Sequence, residues 1–584
     1  MWIIPIVVSA FLLRVIPQLN YVFTDSGIMF RGVDPFHHLR LIENMIANFP
    51  LAMGVDYYAV PGGMSIGFPP LLNYIVAGIS KLGLNYEYVA AFLPPILGAL
   101  IAIPVYLIGR DLFNRSAGII AAALVVFLPT ELLNRSLLGF IDHHVLEAFL
   151  MAWTIYFALK FTQSLKYKWA IFAGVSLGLY MDTWLGGMFF VGILFIAFTL
   201  QFLYKPSKRL LNGYLIVFAI GLLLALMYFG QPYQAGNLIL MPAMIIGLSL
   251  LNLFLWNRKK GLIILGALGL VGGVLVLTFY GTEISFALRS VFWGFESAIA
   301  EAQPSYPYVI VATLGVCALF MFPGVYYAAK KGNVILVVIW VILFLAMIGQ
   351  RRWGYYFVIP TALVSGLFIS QMSGWVQVNM RKAIIVVAVI FLLIPSARTI
   401  IAVVSQPTYI NQNYYEALVW LKVNTPEPFP LPESHLLDPA IFGFMSGRVY
   451  NDNAYYSLRN LGNPQYSVLA WWDYGHWITQ VGHRVPVANP AAQISVEMRQ
   501  YLMAQSQSEA EAFIKDLEVQ PRYIFATQEM TSPYKYYAIV FQLGMGQAEV
   551  DKSIEDSMAT RLWENRGITY KLVFENDEVK IYER

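Results

Sequence analysis

Thirteen apolar runs recur through the first 400 or so residues, near 2–20, 88–109, 117–133, 145–162, 168–185, 187–203, 210–229, 235–256, 262–280, 307–328, 333–349, 354–372 and 383–402. Runs near 20 residues are long enough to cross a bilayer as helices. Only 12% of the residues are charged and 58% are hydrophobic, whereas a soluble globular chain carries about 25% charged residues. The pattern predicts a polytopic α-helical membrane protein with about 13 transmembrane helices and at least one polar domain. A further stretch, 69–84, opens at Pro69-Pro70 and is short; it reads as a span or as a re-entrant or interfacial segment. The N-terminal MWIIPIVVSAFLLRVIP lacks a basic leading region and a small-residue cleavage site, so it reads as a retained first span. The single cysteine, Cys317, excludes a disulfide framework within one chain. A net charge of +4 gives no basis for a nucleic-acid partner.

The basic loops set the topology. Arg110 and Arg115, then Lys160, Lys166 and Lys168, then Lys205, Lys208 and Arg209, then Arg258, Lys259 and Lys260, then Lys330 and Lys331, then Arg381 and Lys382 all fall on one side if the 13 runs are spans and 69–84 is not. The positive-inside rule makes that side cytoplasmic. The N-terminus is then cytoplasmic. Residues 1–403 form a transmembrane domain with long external loops at 21–87 and 281–306, and residues 404–584 form an extracytoplasmic domain. One loop breaks the rule: GQRRWGYYF places Arg351 and Arg352 outside. That is either scatter in a statistical rule or a cationic site for an anion at the outer membrane face.

The same topology gathers acids and histidines on the outer face. RGVDPFHHLR supplies Asp34, LLGFIDHHVLE supplies Asp142, His143 and His144, and GFESAIAEAQP supplies Glu301. Ionisable groups beside hydrocarbon are costly unless they have partners or a task. Two aspartates, a histidine and a glutamate suit a divalent cation, and the imidazole favours manganese, iron or zinc over calcium, with magnesium also open. Each acid taken singly reads first as a solvated loop residue, and it is their placement on one face that favours a shared site.

From about residue 404 the chain turns polar. YYEALVWLKVN and the stretch 496–519 have helical periodicity, RYIFA reads as a buried strand, and KLVFENDEVKIYER reads as a hairpin around Asn576-Asp577. PEPFPLPES reads as a loop. The expectation is a mixed α/β domain of about 180 residues. Within it, WWDYG has two readings. Trp471 and Trp472 fill a core, or they wall a pocket in which Asp473 accepts a hydrogen bond from a ligand hydroxyl.

WWDYG at Trp471–Gly475 resembles the signature of the catalytic subunit of oligosaccharyltransferases, the membrane enzymes of protein N-glycosylation. The supporting stretches follow in that family's order. GVD (Gly32–Asp34) is similar to its first Asp motif. DHH (Asp142–His144) is similar to its second, in the archaeal style with a histidine in place of the second aspartate. AIAE (Ala298–Glu301) resembles the motif ending in a metal-binding glutamate, and RRW (Arg351–Trp353) the site for the lipid-linked phosphate. Two positions depart: Ala298 stands where the family usually has Thr or Ser, and SPYKYYAI carries Lys535 and Ile539 of a D-x-x-K-x-x-x-(M/I) motif with Ser532 for the Asp.

The resemblance implies a GT-C-like glycosyltransferase of the archaeal, single-subunit type in the cell membrane. It would move a preassembled glycan from a polyprenyl (dolichyl) phosphate or diphosphate carrier to asparagine in Asn-x-Ser/Thr sequences. Asp34 and Glu301 would be catalytic. Asp34, Asp142, His144 and Glu301 would hold Mn2+ or Mg2+. Arg352 and Arg351 would clamp the phosphate. Trp471, Trp472, Asp473, Lys535 and Ile539 would read the acceptor. The nearest rivals are other lipid-carrier-dependent transferases, such as a protein O-mannosyltransferase or a lipid-modifying sugar transferase, which do not require an external Trp-Trp-Asp motif. A transporter or channel would need ionisable or broken-helix sites near the bilayer midplane.

Overall fold

The computed structural model describes residues 3–67, 69–227, 235–256, 259–261, 263, 304–315, 317–373, 394, 396–429, 453–491, 495–533, 535–536 and 553–584. Ala298, Glu301, most of the 281–306 loop and Ile539 lie outside them. Where described, the apolar runs are helical: Ile3–Val15, Tyr86–Leu100 continuing into Ala102–Leu112, Arg115–Phe127, His143–Ser164, Tyr167–Met181, Met188–Tyr204, Lys208–Met227, Ala235–Leu250, Pro307–Leu314 with Cys317–Lys330, Val334–Gly349 and Gly354–Ser373. Five helical segments among the described residues are long and apolar enough to cross a membrane, or six with one bent pair counted as a span. The runs at 262–280 and 383–402 fall largely outside the described residues.

Polar caps start two of these helices. Asn85 accepts from the backbone of Glu87 at 2.8 Å, and Asn114 from that of Ala117 at 2.9 Å, supplying donors at the helix N-terminus with a partner. Small residues let the helices meet closely: a Cβ on Gly109 would stand 2.7 Å from the Gly118 Cα, and one on Gly366 would stand 2.8 Å from the Ala117 carbonyl oxygen. Close backbone approach of this kind is how helices associate where no hydrophobic force separates them from lipid. The ambiguous 69–84 stretch forms a helix of 10 residues, Leu71–Ser80. At about 1.5 Å per residue it is too short to cross hydrocarbon about 30 Å thick, and it packs on the helix Asp34–Asn48 instead.

The polar tail builds a four-stranded sheet in the order β1-β2-β4-β3, with β1 Ser467–Leu469, β2 Pro521–Thr527, β3 Lys571–Glu575 and β4 Val579–Glu583. β1 runs parallel to β2, and the other pairs are antiparallel. The β3–β4 turn is set by Asn576, whose Oδ1 accepts from the backbone of Glu578 at 3.2 Å and of Val579 at 2.9 Å. The helical stretch expected over 496–519 is two helices, Val496–Met503 and Gln507–Ile514. The chain leaves the helix at Ala504, and Ser506 caps a new one by accepting from the Glu509 backbone at 3.3 Å. A serine side chain competes well for that role and poorly for a helix interior.

The tail is fixed to the 21–87 stretch by side chains more than 400 positions apart. Glu43 accepts from Tyr456 Oη at 2.7 Å and from Gln480 Nε2 at 2.9 Å. Asn489 donates to the Ala59 carbonyl at 2.7 Å, and Thr479 to that of Tyr58 at 2.9 Å. Arg40 forks onto Asp56 at 3.0 and 3.1 Å while its guanidinium lies 3.8 Å from the Tyr455 ring centroid. These contacts bring WWDYG over the start of the Asp34 helix.

Candidate active site

Four helix starts converge: α1 (Asp34–Asn48), α2 (His143–Ser164), α3 (Gly354–Ser373) and α4 (Gly475–Gln480). Gly32 precedes α1 with φ +93°, a conformation that favours glycine. Asp34 then opens the helix, with Pro35 in the first turn where a missing N–H costs nothing. Asp142 is the N-cap of α2 and accepts from the His143 backbone at 2.6 Å. Gly475 of WWDYG is required by packing: a Cβ there would stand 2.4 Å from the Ala488 carbonyl oxygen.

Asp142 is the hub, buried at 1% exposure. Its Oδ1 lies 2.7 Å from His143 Nδ1 and 3.4 Å from His38 Nε2, and its Oδ2 lies 3.3 Å from His144 Nε2 and 3.9 Å from Arg135 Nη1. Burial pushes the Asp142 carboxyl up, but the charge of His143 and the hydrogen bonds from His143 and His38 hold it well below the usual carboxylate range. Among the described residues, two overlapping groups could hold a metal: His38 with Asp142 and His143, and His143 with His144 and Glu147.

The donor set fits a divalent cation. Asp142 Oδ2 is buried with no hydrogen-bond partner among the described residues. It faces His144 Nε2 at 3.3 Å. Two ligand atoms on one metal, each bonded at about 2.1 Å, stand about 3.0–3.4 Å apart.

A cavity of about 580 Å³ opens beside this cluster. Asp34, His143, His144, Arg352, Trp472 and Asp473 all line it. The two arginines diverge. Arg352 faces the cavity, whereas Arg351 points to a separate pocket, where its Nη2 lies 3.9 Å from Glu131 Oε1. The two tryptophans also diverge: Trp471 is core at 1% exposure, and Trp472 lines the cavity. Trp471 Nε1 donates to Asp473 Oδ2 at 3.1 Å, and Lys535 Nζ donates to the same oxygen at 2.7 Å. Burial pulls the Lys535 ammonium down, but Asp473, Tyr409 and Glu529 more than reverse this, so its pKa is raised. Asp473 also borders a second cavity of about 560 Å³ with Arg31 and Tyr409.

Several site residues escaped the sequence reading. His38 lies at the Asp142 carboxylate, and His37 and His476 line the cavity with ring centroids 4.9 Å apart. Burial depresses both rings, His37 well below the ordinary value and His476 to about 3 with His38 contributing, so they present neutral imidazoles. Glu147 is fully buried one turn into α2. The signal for it was its spacing, three and four residues after His144 and His143, which places all three on one helix face.

The model for the N-terminal part of oligosaccharyl transferase STT3 matches residues 4–405, and the AglB core domain model matches residues 411–531. Dolichyl-phosphooligosaccharide-protein glycotransferase 3 of Archaeoglobus fulgidus is 29% identical over 632 residues, covering 90% of this chain and 69% of the relative. The archaeal oligosaccharyltransferase AglB from A. fulgidus, solved with an inhibitory peptide and a dolichol-phosphate, superposes with a TM-score of 0.81 at 24% identity, covering 99% of this chain and 80% of that one. The A. fulgidus oligosaccharyltransferase solved with Zn and sulfate gives 0.78 at 24% identity, covering 99% and 79%. These superpositions show a shared fold. With the STT3 model matched over residues 4–405 of 584, the chain belongs to the oligosaccharyl transferase STT3 family, membrane enzymes that move an oligosaccharide from a lipid-linked donor to protein.

Proposed function

We propose that this enzyme transfers a preassembled oligosaccharide from a polyprenyl (dolichyl) phosphate or diphosphate to the side-chain amide of asparagine in Asn-x-Ser/Thr, that it depends on a divalent metal, and that it acts as a single subunit. One observation carries the reading: a single cavity lined by Asp34, His143, His144, Arg352 and Asp473, residues drawn from four separated stretches. The A. fulgidus structures with Zn and sulfate, and with a peptide and dolichol-phosphate, support it.

The residues divide the task. A carboxamide nitrogen is a poor nucleophile because its lone pair is delocalised into the carbonyl. Asp34 and Glu301 accept the amide hydrogens and hold the nitrogen toward the sugar carbon. Asp34, Asp142, His144 and Glu301 hold the metal, which when bound, as Mn2+ or Mg2+, offsets charge on the leaving phosphate. Arg352 clamps the phosphate with a planar fork, and Arg351 supports it from the neighbouring pocket. Asp473 accepts from the Ser/Thr hydroxyl, Trp471 and Lys535 fix its carboxylate, Trp472 walls the cavity, and Ile539 meets the Thr methyl.

In the same reading the chain crosses the membrane 13 times with its N-terminus cytoplasmic, residues 1–403 form the transmembrane domain, and residues 404–584 lie outside with the site. The test is transfer from native lipid extract to an Asn-x-Thr peptide in detergent, followed by mass spectrometry. A glycan mass on asparagine that disappears with chelator is expected. Peptide left unmodified under all metals would overturn the proposal.

A further inference from the structure

Glu147 has no place in the reaction described above, yet among the described residues it is the most completely buried carboxylate beside the site, at 0% exposure in a helix of membrane-spanning length and composition. A carboxylate in such a helix is costly unless partners and a task hold it there. Its Oε2 accepts from Tyr355 Oη at 3.1 Å and also from Tyr356 Oη. Tyr356 Oη in turn lies 2.7 Å from Tyr180 Oη. Its Oε1 lies 3.4 Å from His143 Nε2 and 3.7 Å from His144 Nδ1. The group is therefore tied into α3 through two consecutive tyrosines.

The proton count along this chain decides the histidine tautomer. Tyr355 has one hydroxyl proton, and it goes to Glu147. Its oxygen, 3.2 Å from His144 Nδ1, then acts as acceptor, so Nδ1 carries the proton. His144 Nε2 is left with a lone pair, and it faces Asp142 Oδ2 at 3.3 Å. Two lone pairs opposed at that distance repel each other unless a cation lies between them.

We propose that Tyr355 and Glu147 form a positioning relay that fixes the His144 tautomer and aims Nε2 at the divalent cation. This rests on the assignment of His144 as a metal ligand made above. Partners of this kind fix the orientation and raise the basicity of ligating histidines, and their loss typically weakens metal binding about 10–100-fold. Neither residue touches substrate in this reading. Both act through His144.

The experiment is Mn2+ titration followed by electron paramagnetic resonance on the full-length enzyme in detergent. The variants are Tyr355→Phe, Glu147→Gln, His144→Asp, His144→Ala and the double variant His144→Asp/Tyr355→Phe. Melting temperatures without metal serve as a folding control. Tyr355→Phe and Glu147→Gln should each raise the Mn2+ Kd about 10–100-fold. An aspartate at 144 has no Nδ1–H to position, so Tyr355→Phe should change the Kd by less than about twofold in the His144→Asp background.

A purely structural role would weaken binding equally in both backgrounds and would overturn the relay. So would a wild-type Kd in Tyr355→Phe, or complete loss of binding in Glu147→Gln with none in Tyr355→Phe, which would make Glu147 a direct ligand. If instead His144→Ala binds Mn2+ as tightly as wild type, or wild type binds none, the metal assignment itself falls and takes the relay with it.

Discussion

Lys535 Nζ lies 2.7 Å from Asp473 Oδ2 and joins two residues 62 positions apart. With side-chain exposures of 6% and 21%, the pair is sheltered enough to exceed the small contribution of a surface ion pair. It holds one carboxylate oxygen, together with Trp471 Nε1, and orients the group in the cavity wall.

Acceptor selection should therefore depend on Asp473 first and Lys535 second. A hydrogen bond to a charged group contributes about 1.5–3 kcal/mol. Asp473→Ala should lower kcat/KM for an Asn-x-Thr peptide by roughly tenfold to somewhat over a hundredfold, at about 1.36 kcal/mol per decade. It should also erase most of the preference for Asn-x-Thr over Asn-x-Ala. Lys535→Ala should cost about tenfold, because the carboxylate remains but is no longer held. The readout is the ratio between the two peptides. An Asp473→Ala enzyme that keeps the full ratio would return WWDYG to the role of core structure.

Arg352 and Arg351 should separate in donor kinetics. Arg352 lines the cavity with Asp34 and His143, whereas Arg351 is paired toward Glu131 and its side chain is 39% exposed. Arg352→Ala should raise the KM for the lipid-linked donor at least tenfold, the loss expected for one charge-assisted bond of about 1.5 kcal/mol. Peptide KM should stay near wild type. Arg351→Ala should have the smaller effect. Equal, wild-type-like donor kinetics in both variants would remove the phosphate clamp from the mechanism.

What the sequence made legible follows from which forces are local. Long apolar runs announce helices because each one satisfies its own backbone, and the strand at Arg522–Ala526 and the turn at Asn576 carried their own signals. Glu147 stayed hidden because it sits inside an apolar run and its meaning depends on Tyr355 and Tyr356, about 208 positions away. Trp471 and Trp472 look alike in sequence. The short 3₁₀ helix that starts at Trp472 sends one into the core and the other into the cavity wall. The convergence of Asp34 with Asp473 could not be read locally, because contacts such as Tyr456 to Glu43, 413 positions apart, create it. The divergence of Arg351 from Arg352 was equally invisible, since it depends on where Glu131 lies.

Metal should stabilise the folded enzyme as well as activate it. Anything that binds only the native state stabilises it by about 2.7 kcal/mol at 100 times its Kd. Mn2+ should raise the melting temperature of the purified enzyme, and chelator should reverse both the shift and the activity. Asp142→Asn should abolish the Mn2+ shift, because the amide replaces the carboxylate that lies 3.3–3.4 Å from His144 and His38. A shift that survives in Asp142→Asn would place the ion elsewhere.

A separate acid sensitivity should reside in His483, away from the cavity. Its ring stacks on Tyr455 with centroids 3.7 Å apart, and Lys422 Nζ donates to its Nε2 at 3.1 Å, so the imidazole is neutral. Burial, then Lys422, Arg40 and Arg484, depress its pKa to about 3. The folded value lies below the unfolded value of about 6.5. The unfolded chain thus binds the proton first, and the stabilisation is complete above that value and lost as pH falls toward about 3. The slope of this single group is about 1.4 kcal/mol per pH unit. His483 has φ +49°, a conformation that asparagine tolerates better than most residues, so His483→Asn tests the titration with little added backbone strain. The variant should melt lower than wild type at pH 7, because the Tyr455 stack is lost, yet its melting temperature should fall less steeply between pH 6.5 and 4. Parallel curves for the two proteins would show that the proton is taken up elsewhere.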